Sequence, residues 1–233
     1  MKKIFGLLGL VAMLCITAQA QNTLSAWTFD NLPIGINSSP TPSTDSSGFS
    51  KASALGMNNS YNGTNSISNP DVQSLAGSSS GGPNSWRIRG FSTIAGSHGN
   101  GWSTQAPIGT QGAQFSGSTF GYYKVKVSFD VYATSDAEAN LQAQYSTDGT
   151  NWFNATITSG GTSTGIFNNN ADPNTVIGSY VKLKSGWNNQ IVVDLTGLSG
   201  VENDANFGIR LVNASNVQHA ARKLVMPGQF VAG

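Results

Sequence analysis

The sequence predicts an all-β protein, built as a two-sheet antiparallel β-sandwich. Three observations carry that expectation. The run from Tyr122 to Thr134 alternates without a break: Tyr123, Val125, Val127, Phe129 and Val131 fall on one side, and Lys124, Lys126, Ser128, Asp130 and Tyr132 on the other. A period of two over this length describes a half-buried antiparallel strand and fits no helix. Second, Asp148-Gly149 separates two further alternating segments. The glycine supplies the positive φ that a tight hairpin turn needs. Third, no amphipathic helical pattern longer than two turns follows residue 21, whereas strand-like segments recur with turn signals between them. Half-buried strands in this number require two packed sheets.

The first twenty residues stand apart from that pattern. Met1-Lys2-Lys3 is a short basic start, and an apolar run extends from Ile4 to Ile16. Thr17-Ala18-Gln19-Ala20 then places small residues at −3 and −1 of a cut after Ala20. This reads as a secretory signal peptide, residues 1–20. The run is shorter than the roughly 20 residues that cross a bilayer as a helix. Leu14, before Cys15, argues against a lipidation site there. The expected location is secreted or at the cell surface, with no membrane span once the signal is removed.

The strands then follow in order. Leu24–Asp30 reads as the first. From Pro33 to Asn84 the chain is rich in Ser, Asn, Gly and Pro, with weak apolar points at Phe49, Leu55, Met57, Val72 and Leu75. It reads as an irregular lobe holding one or two short strands. Trp86–Phe91 alternates, with Trp86 and Ile88 on one face and Arg87 and Arg89 on the other. A Gly-rich loop over 96–112 leads to Ala113–Ser116. After Tyr122–Thr134 come Asn140–Ser146, the turn at 147–151, Trp152–Thr158, Thr175–Leu183, Trp187–Leu195 and Asn206–Val212. That makes about nine strands over residues 21–216. Residues 217–233 depart from this alternation. Val217 to Met226 is compact, basic and helix-tolerant, and reads as an atypical tail.

Composition excludes several functions. Cys15, the one cysteine, lies within the signal, so the mature chain offers no disulfide and no thiolate. Such a chain needs a large core, which about 210 residues can supply. The whole chain has 12 Lys+Arg against 11 Asp+Glu; without Lys2 and Lys3 this becomes 10 against 11, a net charge of −1. With no basic stripe, nucleic acid is not the expected partner. Charged residues are only 10% of the chain, so its solubility must come from Ser, Thr, Asn, Gln and Gly.

Ala26-Trp27-Thr28-Phe29, the segment Tyr145-Ser146-Thr147-Asp148-Gly149-Thr150-Asn151-Trp152, and Trp187–Leu195 followed by Asn206–Val212 together resemble the jelly-roll β-sandwich domains of secreted bacterial proteins, of carbohydrate-binding-module type. The resemblance covers residues 24–213. It implies a jelly-roll sandwich, found alone or beside extracellular hydrolases. The chain departs from the pattern at its end. Such domains close with a strand of the type Trp-x-Phe-Asp-Asn-Val, and 217–233 has nothing like it. The expectation is a sheet short of one strand, with an exposed edge.

For function, the residues point to glycan binding or cell-surface adhesion without catalysis, with a polysaccharide or cell-surface glycan as partner. Exported sandwiches bind sugars with aromatic faces and a few polar groups. The candidates are Arg87, Arg89, Trp102, Tyr122 and Tyr132: Trp102 lies in a Gly-rich loop, and the others face away from the expected core. Trp27, Trp86, Trp152 and Trp187 read as core, with Trp152 packing back over the Asp148-Gly149 turn. The resemblance also implies a structural calcium, for which Asp30 and Asp194 at strand ends are the candidates. His98 and His219 are too isolated for zinc or general-base chemistry. Among the acids, Asp130, Glu138, Asp194, Glu202 and Asp204 are the candidates for the carboxylate pair that a glycan-active hydrolase needs, against the simpler expectation that each caps a strand end or turn. No Gly-x-Ser-x-Gly elbow is present. The alternatives are thus a structural envelope or matrix protein with no small ligand and, less favoured, a hydrolase.

Overall fold

Alternating apolar residues bury one face of each strand, and two such faces close on one another. The computed structural model describes residues 21–56, 60–61, 67–68, 70–79, 82–88, 108–133, 140–160, 166–169, 179–183, 185–214, 224–226 and 228–232. Among them there is no helix. The strands are β1 (Asn22–Trp27), β2 (Gly35–Ile36), β3 (Thr44–Asp45), β4 (Lys51–Leu55), β5 (Ser60–Tyr61), β6 (Ile67–Ser68), β7 (Asp71–Ser74), β8 (Asn84–Ile88), β9 (Gly112–Ser116) and β10 (Lys126–Ala133). They continue as β11 (Asn140–Ser146), β12 (Phe153–Ala155), β13 (Ile157–Gly160), β14 (Ile166–Asn169), β15 (Ser179–Lys182), β16 (Gly186–Asp194), β17 (Gly208–Asn213), β18 (Leu224–Met226) and β19 (Gly228–Ala232).

Every described pairing is antiparallel. In the first sheet β16 lies between β13 and β10. The other edge of β10 takes β18 opposite Tyr132 and Ala133, and β19 opposite Lys126 to Phe129. Beyond them, β18 pairs β8, which leads through β7 to β2, and β19 pairs β1, which leads to β3. The second sheet runs β14-β15-β11-β17-β9-β4, with β12 beside β11. Strands β5 and β6 form a separate ribbon. The two main sheets enclose one core. Trp27 and Trp86 of the first meet Phe115 of the second edge-on, at 5.0 and 6.3 Å between ring centres. Phe129, Ile191, Leu141, Ile209 and Leu211 fill the rest. The expected β-sandwich is therefore the observed architecture.

Three expectations need correction. The tail does not lie outside the sheets. Strands β18 (Leu224–Met226) and β19 (Gly228–Ala232) lie in the middle of the first sheet, each paired on both sides, so no edge is left where a strand was expected to be missing. The segment was hard to read because Leu224-Val225-Met226 is apolar throughout rather than alternating, and Pro227 and Gly228, residue types that ordinarily interrupt a strand, follow it in the sequence. Second, residues 33–84 hold more than one or two short strands. Strand β4 pairs β9 along its whole length, and β7 pairs β8. The inward side chains of β4 are only Ala52 and Ala54, too small to make a periodic signal. Two buried indoles fix the preceding loop: Trp27 Nε1 donates to the Pro40 carbonyl (3.1 Å) and Trp86 Nε1 to that of Asn37 (2.8 Å).

Third, the alternation at Tyr122–Thr134 fails at its start. Lys124 is left-handed (φ 55°), and Tyr123 is 56% exposed instead of buried. The turn at 197–204 holds this corner: Glu202 Oε1 accepts the Lys124 N–H (2.8 Å), and the Tyr122 carbonyl accepts the Asn203 N–H (3.1 Å). Further along, the β10–β16 register shifts between Phe129 and Val131. This bulge buries Asp130 at 1% exposure. Its carboxylate accepts the Gln190 N–H (2.7 Å), the Ser79 N–H (2.7 Å) and the Ser78 hydroxyl (2.7 Å). The segment 75–79 is thereby strapped across the outer face of the first sheet. There Trp187 Nε1 donates to the Ala76 carbonyl (2.8 Å).

Candidate functional site

The second sheet carries a polar row on its outer face. Cross-strand partners run Asn154, Gln144, Arg210, Gln114 and Ser53 through β12, β11, β17, β9 and β4. The flanking residues Ile209, Phe115 and Ala52 on one side, and Ala143, Leu211 and Ala113 on the other, are buried in the core. Period two then turns the row between them outward. Strands lie about 4.8 Å apart, so four steps span about 19 Å. Gln144 Nε2 donates to Asn154 Oδ1 (3.1 Å), and Arg210 Nε donates to Gln114 Oε1 (2.8 Å).

Arg210 is the centre of this row. Its guanidinium carbon lies 3.7 Å from the centre of the Trp152 ring, a cation–π contact. The indole reaches that position because Gly208 has no side chain: a Cβ there would fall 2.8 Å from Trp152 Cη2. Trp152 thus packs on β17. The turn holds itself. Asp148 accepts the Asn151 and Thr150 N–H groups (2.7 Å each), and these bonds hold its carboxyl far below the ordinary carboxylate pKa. Burial lowers the pKa of Arg210 from its ordinary value. The guanidinium nevertheless stays charged at any working pH. Among the described residues no carboxylate neutralises it: its bonded partner is the neutral Gln114 amide, and its two Nη groups carry no protein hydrogen bond. The Trp152 Nε1 is also buried without an acceptor among them.

The structure brings two of the sequence candidates onto one row, but of the other sheet. Arg87 and Tyr132 both pair with Val225, one on each side. Arg87 is engaged with Asp71, through Nε to Oδ1 (2.7 Å) and through Nη2 to Oδ2. Tyr132 packs edge-on against Trp187, 5.6 Å between ring centres. Tyr122 is half-buried against the core. Arg89, Trp102, Glu138, His98 and His219 lie outside the described residues.

The calcium candidates are separately occupied. Asp30 accepts the Gly82 and Asn84 N–H groups (2.8 and 3.0 Å), anchoring the far end of the strap. Asp194 accepts the Thr196 N–H (3.0 Å) and pairs with Lys126 (2.9 Å). Burial alone would raise the Asp194 pKa, but the bonds from Thr196 and Lys126 hold it lowered. Each carboxylate is engaged with neighbouring N–H or ammonium donors, and calcium, which takes 6–8 oxygens, would need its further ligands from other groups there. Among the described residues no three His, Cys, Asp or Glu side chains group as a metal site. Glu202 and Asp204 likewise accept backbone N–H groups in turns, from Lys124 and Asn206.

No family model matches the chain, and neither the curated proteins nor the solved structures include a match to it.

Sequence reading missed Arg210, Gln144, Gln114, Asn154 and Ser53, and took Trp152 as structural. Alternation alone turns Arg210 outward between Ile209 and Leu211, and Gln144 outward between Ala143 and Tyr145. That these residues share one row depends on register among five strands, which no local pattern states.

Proposed function

We propose that this chain is an exported, non-catalytic glycan-binding protein, and that the outer face of its second sheet is the binding face. The observation that carries the reading is the row Asn154-Gln144-Arg210-Gln114-Ser53 with Arg210 stacked on Trp152. Side-chain amides offer donors and acceptors together, which suits sugar hydroxyls. The guanidinium adds free donors, and its indole support fixes their plane. The row is long and carries no carboxylate, so it suits an extended polar chain and not the general acid and base of a hydrolase. The leader-like residues 1–20 and the charge-poor composition support an extracellular setting.

The test is binding of folded protein, residues 21–233, to a broad glycan array, with Gln144→Ala and Asn154→Ala beside it and with calcium present or chelated. Binding weakened by both substitutions is the expected result. Silence across the array would move the reading to a structural envelope protein. Binding that survives both changes and is lost in Trp102→Ala or Arg87→Ala would move the site elsewhere.

A further inference from the structure

Resting on that reading, we infer that the face selects acidic glycans, with the Arg210 guanidinium receiving an oxyanion carried on the sugar chain. The argument is one of uncompensated charge. Arg210 is half-buried and held by one neutral amide and one aromatic ring, and its two Nη groups have no acceptor among the described residues. A partly desolvated cation without a counter-charge is costly, and an anion relieves that cost. The contrast with Arg87 within the same protein is direct: that guanidinium already holds a carboxylate, Asp71, in the two-pronged geometry that a free Arg offers to a ligand. Gln114 fixes Arg210 through Nε. The Nη edge is therefore left for a planar carboxylate or for two oxygens of a sulfate. Lys51, exposed on the same face two residues along from Ser53, adds a second positive charge. With the leader removed the net charge is −1, so the protein as a whole does not attract polyanions. A preference for acidic chains must then arise locally.

The test compares glycans that differ only in charge. Affinities of residues 21–233 are measured for polygalacturonate and its methyl ester, and for dextran sulfate and dextran. The expected result is that at least one acidic chain binds about tenfold or more tighter than its neutral counterpart. Added salt should weaken only the acidic binding, and Arg210→Gln should bring the ratio near one. Preference for polygalacturonate assigns a carboxylate, and preference for dextran sulfate alone assigns a sulfate. Equal binding of charged and neutral partners would overturn the acidic inference and leave glycan binding standing. Silence for all four and across the array, from folded protein, would overturn both. An acidic preference that persists in folded Arg210→Gln would overturn the site. If that variant does not fold, the wild-type ratio still decides the class, and Arg210→Lys, which keeps the charge without the fork, decides the site by lowering the ratio.

Discussion

Replacing Asp130 by alanine should detach the strap over the first sheet. The carboxylate sits at 1% exposure in the β10–β16 bulge and takes two backbone N–H groups, from Gln190 and Ser79, at 2.7 Å each. Hydrogen bonds to a charged group contribute about 1.5–3 kcal/mol each. Ser79 and Gln190 are not buried, so water can reach both when the carboxylate is gone. The lower figure then applies, and two bonds lose about 3 kcal/mol. The hydroxyl bonds from Ser78 and Ser79 re-solvate and add little. For a domain of this size, 1 kcal/mol moves Tm by about 2–4 °C, so the midpoint should fall by about 6–12 °C. Asp130→Asn keeps one acceptor oxygen and should lose about half as much. The assays are urea unfolding and limited proteolysis, with new cleavage expected within residues 75–83. A loss below about 1 kcal/mol with unchanged cleavage would mean that the strap is held by Trp187 and Asp30 instead, and would refute the reasoning.

The other predictions concern the proposed binding face, the last strands and pH. Gly208→Val puts methyl groups against the Trp152 ring, where even a Cβ would fall 2.8 Å from Cη2. The expected result is a changed tryptophan emission and lost glycan binding, at a stability cost of about 1–3 kcal/mol; unchanged emission would show that the indole has other room. Deleting residues 217–233 removes both β18, which pairs β8, and β19, which pairs β1. Purified truncated protein should give no cooperative unfolding transition, and a sharp one would contradict the assigned pairing. For Asp45, burial raises the pKa, but the bonds from Ser50 and Ser47 outweigh it and hold the carboxyl lowered. Its stabilisation is complete above the unfolded pKa of about 3.9 and is lost as pH falls through the folded value. Asp204 has the opposite sign: burial, with the nearby Asp148 charge, raises its pKa. It therefore destabilises as pH rises through that value, and Asp204→Asn should be more stable than wild type at pH 7 and equal to it in acid. Equal unfolding midpoints at both pH values would refute the shift.

The wide difference between Arg87 and Arg210 marks the limit of reading this chain without its fold. Both stand between apolar neighbours on an alternating strand, and both were bound to face outward. Alternation also settled that Val127, Phe129, Ile209 and Leu211 face inward, and that Asp148-Gly149 turns the chain between β11 and β12. These are local matters, decided by side-chain period and by the φ that glycine tolerates. What surrounds each arginine is not local. Asp71 reaches Arg87 across sixteen residues, Gln114 reaches Arg210 across ninety-six, and Asp130 meets Ser79 across fifty-one. The last strand is the extreme case, since Gly228–Ala232 pairs with Asn22–Trp27, far back along the chain. Sequence by itself determined the class of the fold, the inward face of its most regular strands and the Asp148-Gly149 turn. Only the tertiary structure decided strand order and register, because these depend on the packing of distant faces, and with them which polar side chains share a surface.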